Sequence, residues 1–128
     1  MNLEAVAVAG MIHLAAEMPA PVIGSWCLAL DRFGAYKTYY YRRCKGNEVD
    51  ILVGPDGFDA NETECAIETI KRQGRGEWLA TFRCQGAGVN WHEDDVIRVI
   101  DGWSLEVKIR KVRKTGDPVR YCLVTGCE

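Results

Sequence analysis

Between Trp103 and Arg110 apolar and polar residues alternate at every position. A period of two over that length makes a strand with one buried face and excludes an amphipathic helix there. The same reading extends over most of the chain after residue 20. Gly76 to Gln85 sets Trp78, Ala80, Phe82 and Cys84 on one face, and Thr63 to Lys71 sets Cys65, Ile67 and Thr69 together. Glu48 to Val53 alternates through Val49, Ile51 and Val53, and Tyr36 to Cys44 is rich in strand-prone aromatics. Ile23–Leu30, Val89–Ile100 and Val119–Val124 complete eight expected strands. Turn residues separate them, among them Gly54-Pro55-Asp56-Gly57, Gly74-Arg75-Gly76, Gly86-Ala87-Gly88 and Asp101-Gly102.

Short connections make consecutive strands antiparallel neighbours. An open sheet of eight would leave two edges. The expected fold is therefore all-β: an antiparallel up-and-down barrel of about eight strands, or a flattened sandwich. The length of 128 residues suits one domain, expected over 21–128. Trp26, Trp78, Phe82 and Trp103 are bulky enough to fill such a barrel.

Ahead of the strands, Ala5 to Ala16 is an apolar stretch too short to span a bilayer. Residues 1–20 read as a leader or degenerate signal segment, although Met1-Asn2-Leu3-Glu4 lacks the usual positive charge. The alternative is a short apolar helix. No other segment approaches transmembrane length.

Six cysteines, Cys27, Cys44, Cys65, Cys84, Cys122 and Cys127, favour a disulfide framework over structural zinc or buried thiols. Strand register suggests the pairing. A two-residue turn centred on Gly74-Arg75 sets Cys65 opposite Cys84, Ile67 opposite Phe82, Thr69 opposite Ala80 and Lys71 opposite Trp78. A centre between Phe33 and Tyr36 sets Cys27 opposite Cys44, and Cys122 with Cys127 remains by elimination. A disulfide framework places the protein in the periplasm or outside the cell.

Gly24-Ser25-Trp26 ahead of Cys27 resembles the opening of lipocalins and related calycin barrels. In those barrels the Trp closes the bottom and the Gly allows close backbone approach, which assigns barrel closure to Gly24 and Trp26. A fuller likeness runs from residue 22 to about 110. Gly24, Trp26, Cys27, Arg43, Cys44, Glu64, Cys65, Phe82, Cys84, Gly86, Gly88 and Trp91 follow a pattern similar to that of small exported proteobacterial proteins, which bring no activity with them. The expected architecture is also similar to periplasmic inhibitors of lysozyme and of secreted proteases, though no inhibitor motif maps onto this chain.

The chemistry-bearing residues are sparse. In His92-Glu93-Asp94-Asp95 a strand puts His92 and Asp94 on one face and Glu93 and Asp95 on the other, so the cluster reads as solvated surface rather than a metal or acid–base site. Asp56 and Asp59 read as turn-formers. No catalytic set, metal site or cofactor is expected. Tyr39, Tyr41 and Arg43 share one strand face and form a candidate exposed binding stripe. The basic run Lys108, Arg110, Lys111, Arg113 and Lys114 reads as a solubilising outer face. A net charge of −2 argues against a nucleic-acid partner. The expectation is a monomeric, non-enzymatic binding protein. It would hold a protein partner, in the manner of a hydrolase inhibitor, or alternatively carry a small apolar or aromatic ligand in its lumen.

Overall fold

The computed structural model describes residues 16–29, 38–46 and 48–115. The pair Cys122 and Cys127 and the strand expected at Val119–Val124 lie outside them. The described chain forms a short 3-10 helix, Ala20–Val22, and eight strands. These are β1 (Gly24–Leu28), β2 (Thr38–Arg43), β3 (Ile51–Gly54), β4 (Gly57–Ala60), β5 (Thr63–Gly74), β6 (Glu77–Gly86), β7 (Val89–Asp101) and β8 (Ser104–Thr115). They close into an antiparallel barrel, the architecture that both the alternation and the lipocalin resemblance imply. β4 has no counterpart among the expected strands, because Gly57 ends the Gly54-Pro55-Asp56-Gly57 turn signal.

Chain order gives way at one place. β3 pairs with β1 rather than with β2, and β2 closes the barrel against β8. The connection 44–50 must therefore pass from one side of β1 to the other. Its ends show the passage: Cys44 N–H donates to the Ser25 carbonyl, while Asp50 N–H donates to the Trp26 carbonyl. Trp26 points inward, so Cys27 points outward, and the Cys27–Cys44 disulfide holds the connection where it crosses. The pairing is the expected one but the register is not. Cys27 stands opposite Arg42, and Cys44 lies diagonally, two residues beyond.

Cys65 is bonded to Cys84 and directly opposite it, as is Ile67 to Phe82. The remaining expected pairs are corrected. Ala80 meets Ile70 and Trp78 meets Arg72, because β5 carries irregularities between Ile67 and Thr69 and between Arg72 and Gly74. The turn itself is Arg75-Gly76, with Gly76 at φ +69°. Each irregularity adds one residue to β5. Together they offset the one-residue error in the turn centre, so the cysteines align for a reason the simple register lacks.

The last hairpin shifts similarly. Asp101 pairs with Ser104, leaving Gly102-Trp103 as the turn. The Asp101 carboxylate accepts from Trp103 N–H at 2.8 Å and fixes it. Trp103 is 68% exposed, not an interior residue.

The lower end of the barrel is closed. Met18 and Val22 join Trp26 in the buried cluster there, and Met18 N–H donates to the Pro55 carbonyl. Trp26 is fully buried, with its Nε1–H on the Val22 carbonyl at 2.8 Å. Arg43 stacks on its ring, Cζ lying 4.1 Å from the centroid, and donates to the carbonyls of Ile23 and Pro21. Gly24 has φ +141°, and a Cβ there would run into the Arg43 guanidinium. The Gly-x-Trp spacing and Arg43 are thus one closing device.

Candidate functional site

Above Trp26 the barrel encloses a cavity of about 310 Å³. That volume lies at the lower end of the range for small-molecule sites. The wall is mostly apolar, with Phe58 and Phe82 edge-to-face at 5.0 Å between centroids, and Ile97, Leu105, Val107 and Ile109 from β7 and β8. The four bulky residues expected to fill the interior do not do so. Trp26 forms the floor and Phe82 the wall of a space that stays open, while Trp78 packs against the core away from the lining and Trp103 is outside.

Tyr39 and Tyr41 line this cavity. The exposed stripe expected of them with Arg43 is therefore corrected. The alternation of β2 carries both rings to the inside, and Arg43 lies beneath, against Trp26.

The four-residue acidic cluster divides between the faces as its parity requires, but only half of it is surface. His92 contacts the Glu68 carboxylate at 3.4 Å on the outside. Asp94 accepts from Arg113 at 2.9 Å and from the Thr81 hydroxyl at 3.0 Å. The Arg113 hydrogen bond, opposed by partial desolvation and aided by Thr81, holds the Asp94 carboxyl below the usual range. Glu93 and Asp95 face the lumen and are buried, which corrects the reading of all four as solvated. Trp91 Nε1–H donates to Glu93 Oε1 at 2.8 Å. Asp95 is 1% exposed, and its Oδ1 has no hydrogen-bond partner among the described residues.

Burial pushes the Asp95 carboxyl well above the usual range, and the charge of Glu93 together with the hydrogen bond between the two groups pushes the same way. The groups around Asp95 are Glu93 and the outward Asp94 on its own strand, Ala80 on β6 and Ile109 on β8. Tyr39 and Tyr41 line the cavity from β2. The sign of the pH effect follows. Below about pH 3.9 both folded and unfolded chains hold this proton. As pH rises the unfolded chain releases it first, so the contribution of Asp95 to stability falls until the folded group also ionises. Asp94, with a lowered value, contributes the opposite slope. Urea unfolding of wild type and Asp95→Asn between pH 4 and 8 isolates the term: the variant is expected to gain on the wild type as pH rises. A constant difference across that range would contradict the assignment.

Cys65, Cys84 and Glu93 place one ligand atom each within 4.8 Å of one another. The two sulfurs are bonded to each other, so no thiolate is present and the group is not a metal centre. Asp56 is exposed in the β3–β4 turn, in keeping with a turn-forming residue, whereas Asp59, also exposed, lies within β4 opposite Leu52 and Glu64, which corrects its reading as a turn residue.

The lumen carboxyls are legible in the parity of β7. Along β7, Trp91, Ile97 and Val99 share one parity with Glu93 and Asp95. Extending the apolar face through the acidic cluster would have put two carboxyls inside the barrel. Comparison with protein-family models, curated proteins and solved structures finds no match for this chain.

Proposed function

We propose that the protein is a non-enzymatic carrier or sequestering protein that takes one small, largely apolar or aromatic molecule into the barrel lumen. The observation that carries this reading is the cavity of about 310 Å³ above a closed floor, walled by aromatic and aliphatic side chains. An eight-stranded barrel is wide enough either to be filled by its own side chains or to hold one small ligand. Here Trp26 and Phe82 line the cavity, Trp78 packs against the core away from the lining, and Trp103 is exposed. A protein-binding role through a Tyr39/Tyr41/Arg43 stripe is disfavoured by the same fact, since those side chains form the interior wall and floor. Two disulfides fit folding in an oxidising compartment, so a periplasmic or secreted location is part of the reading. Among the described residues no helix is long and apolar enough to cross a membrane.

The test is titration with N-phenyl-1-naphthylamine, a neutral dye that fluoresces in apolar surroundings. Saturable, one-to-one enhancement is expected. Val107→Phe places extra volume in the lumen and should weaken the dye at least about tenfold, the effect of losing roughly 1.4 kcal/mol of binding energy. Non-saturable enhancement, or binding indifferent to Val107→Phe, would contradict the lumen as the site.

A further inference from the structure

We propose that the lumen's ligand carries a protonated amine on an apolar, ring-sized body, and that Asp95 and Glu93 receive that amine. The inference rests on the lumen reading above and adds the head-group chemistry to it.

Four observations lead there. The first is the sign of the lining. Glu93 and Asp95 are the acidic groups on the cavity wall, and no Lys, Arg or His among the described residues joins them there. The second is the unmet valence: Asp95 is buried and lines the cavity, yet its Oδ1 has no partner among the described residues. Its cross-strand neighbours, Ala80 and Ile109, have no side chain that could donate to it. Those of Glu93, Phe82 and Val112, are equally apolar. The third is energetic. Burial and the neighbouring Glu93 disfavour an ionised Asp95, and an entering ammonium would supply the countercharge that lets it ionise together with a donor for its Oδ1. The fourth is the wall. Tyr39, Tyr41 and Trp91 line the same cavity, and aromatic rings attract cations through their faces while packing an apolar body.

A neutral or anionic ligand would meet the opposite conditions. A neutral one would leave Asp95 Oδ1 without a partner, and an anion would add negative charge beside the carboxyl pair in a desolvated space. The volume of about 310 Å³ suits one or two fused rings with a short aminoalkyl arm. Tryptamine and phenethylamine are suitable probes.

The experiment is calorimetric titration of the disulfide-intact protein with matched head groups on two bodies. These are tryptamine, 3-propylindole and indole-3-propionate, and the corresponding phenethylamine, propylbenzene and 3-phenylpropionate. The amine is expected to bind about tenfold to a hundredfold tighter than the neutral isostere, as a charge-assisted hydrogen bond would give, with the acid weakest. Asp95→Asn and Glu93→Gln should each shrink the ratio of amine to neutral affinity measured in the same variant. That neutral affinity also reports that the variant lumen is intact. If Asp95→Asn fails to fold, Glu93→Gln carries the same comparison. Equal or tighter binding of the neutral isostere overturns the amine inference but leaves the lumen reading standing. An amine advantage that survives both substitutions overturns the role of the pair. Absence of binding by all six compounds and by the naphthylamine dye overturns both.

Discussion

Trp26→Ala is expected to destabilise the barrel by about 3–5 kcal/mol, the range for removing a fully buried large aromatic. The loss has three parts. The ring is completely buried among Met18, Val22, Ile51 and other core residues, so its removal opens a large void at the floor. Its Nε1–H leaves the Val22 carbonyl, and Arg43 loses the ring on which its guanidinium lies. A domain of this size has a total stability of roughly 5–15 kcal/mol, so the variant should be largely unfolded or melt far below wild type. Trp26→Phe keeps most of the volume and should be much milder. Thermal unfolding followed by circular dichroism checks both. A Trp26→Ala melt within a few degrees of wild type would contradict the role given to the floor.

The second large effect is removal of the Cys65–Cys84 bond. It closes a loop of sequence separation 19, for which loop entropy assigns about 3 kcal/mol. Both cysteines are buried in the core beside Phe82, and replacing them with alanine also removes sulfur from a packed wall. A fall in melting temperature of more than about 10 °C is expected for the double Cys65→Ala, Cys84→Ala variant. The Cys27–Cys44 bond closes a loop of similar length, separation 17, but lies on the half-exposed outer face where β1 is crossed. Its cysteines contribute no core packing, so the corresponding double variant should lose less. Reversal of that order would mean that the outer crossing, not the inner wall, limits stability.

The barrel was legible because a period of two is a local property. Each strand from β5 to β8 shows its apolar face within eight or so residues, and Gly and Asp mark the turns between. What escaped depends on non-local placement. Gly57–Ala60 is too short to display a period, and Gly57 looks like a turn residue. Yet Gly57 stands opposite Ala66, and a Cβ at Gly57 would collide with the Cys65 carbonyl. The exchange of neighbours at β1 arises in the 44–50 connection, where nothing in composition says which side of a strand the chain will take. The two irregularities of β5 moved every pair beyond Ile67 without changing the alternation near the cysteines.

The site was half legible for a related reason. The parity of Tyr39 and Tyr41, and of Glu93 and Asp95, was correctly divided between faces. Which face was the inside was decided by expectation instead: tyrosine with arginine suggested an interface, and adjacent carboxyls suggested solvent. On β7 the apolar residues in phase decide the face, since Glu93 and Asp95 alternate with Trp91 and Ile97, whereas β2, with tyrosine on both faces, carries no such marker. The polarity of a side chain was a weaker guide than the face of the strand on which it sits.

The most direct measurement of the central claim is methyl-resolved NMR of the protein saturated with the neutral naphthylamine dye. The lumen carries Ile97, Leu105, Val107 and Ile109, while Val49, Leu52 and Ile100 are exposed outside it. Intermolecular NOEs from the dye to the first group, with the second silent, are the predicted result. NOEs to Val49, Leu52 or Ile100 with the interior methyls unshifted would place binding on the outer surface and contradict the account.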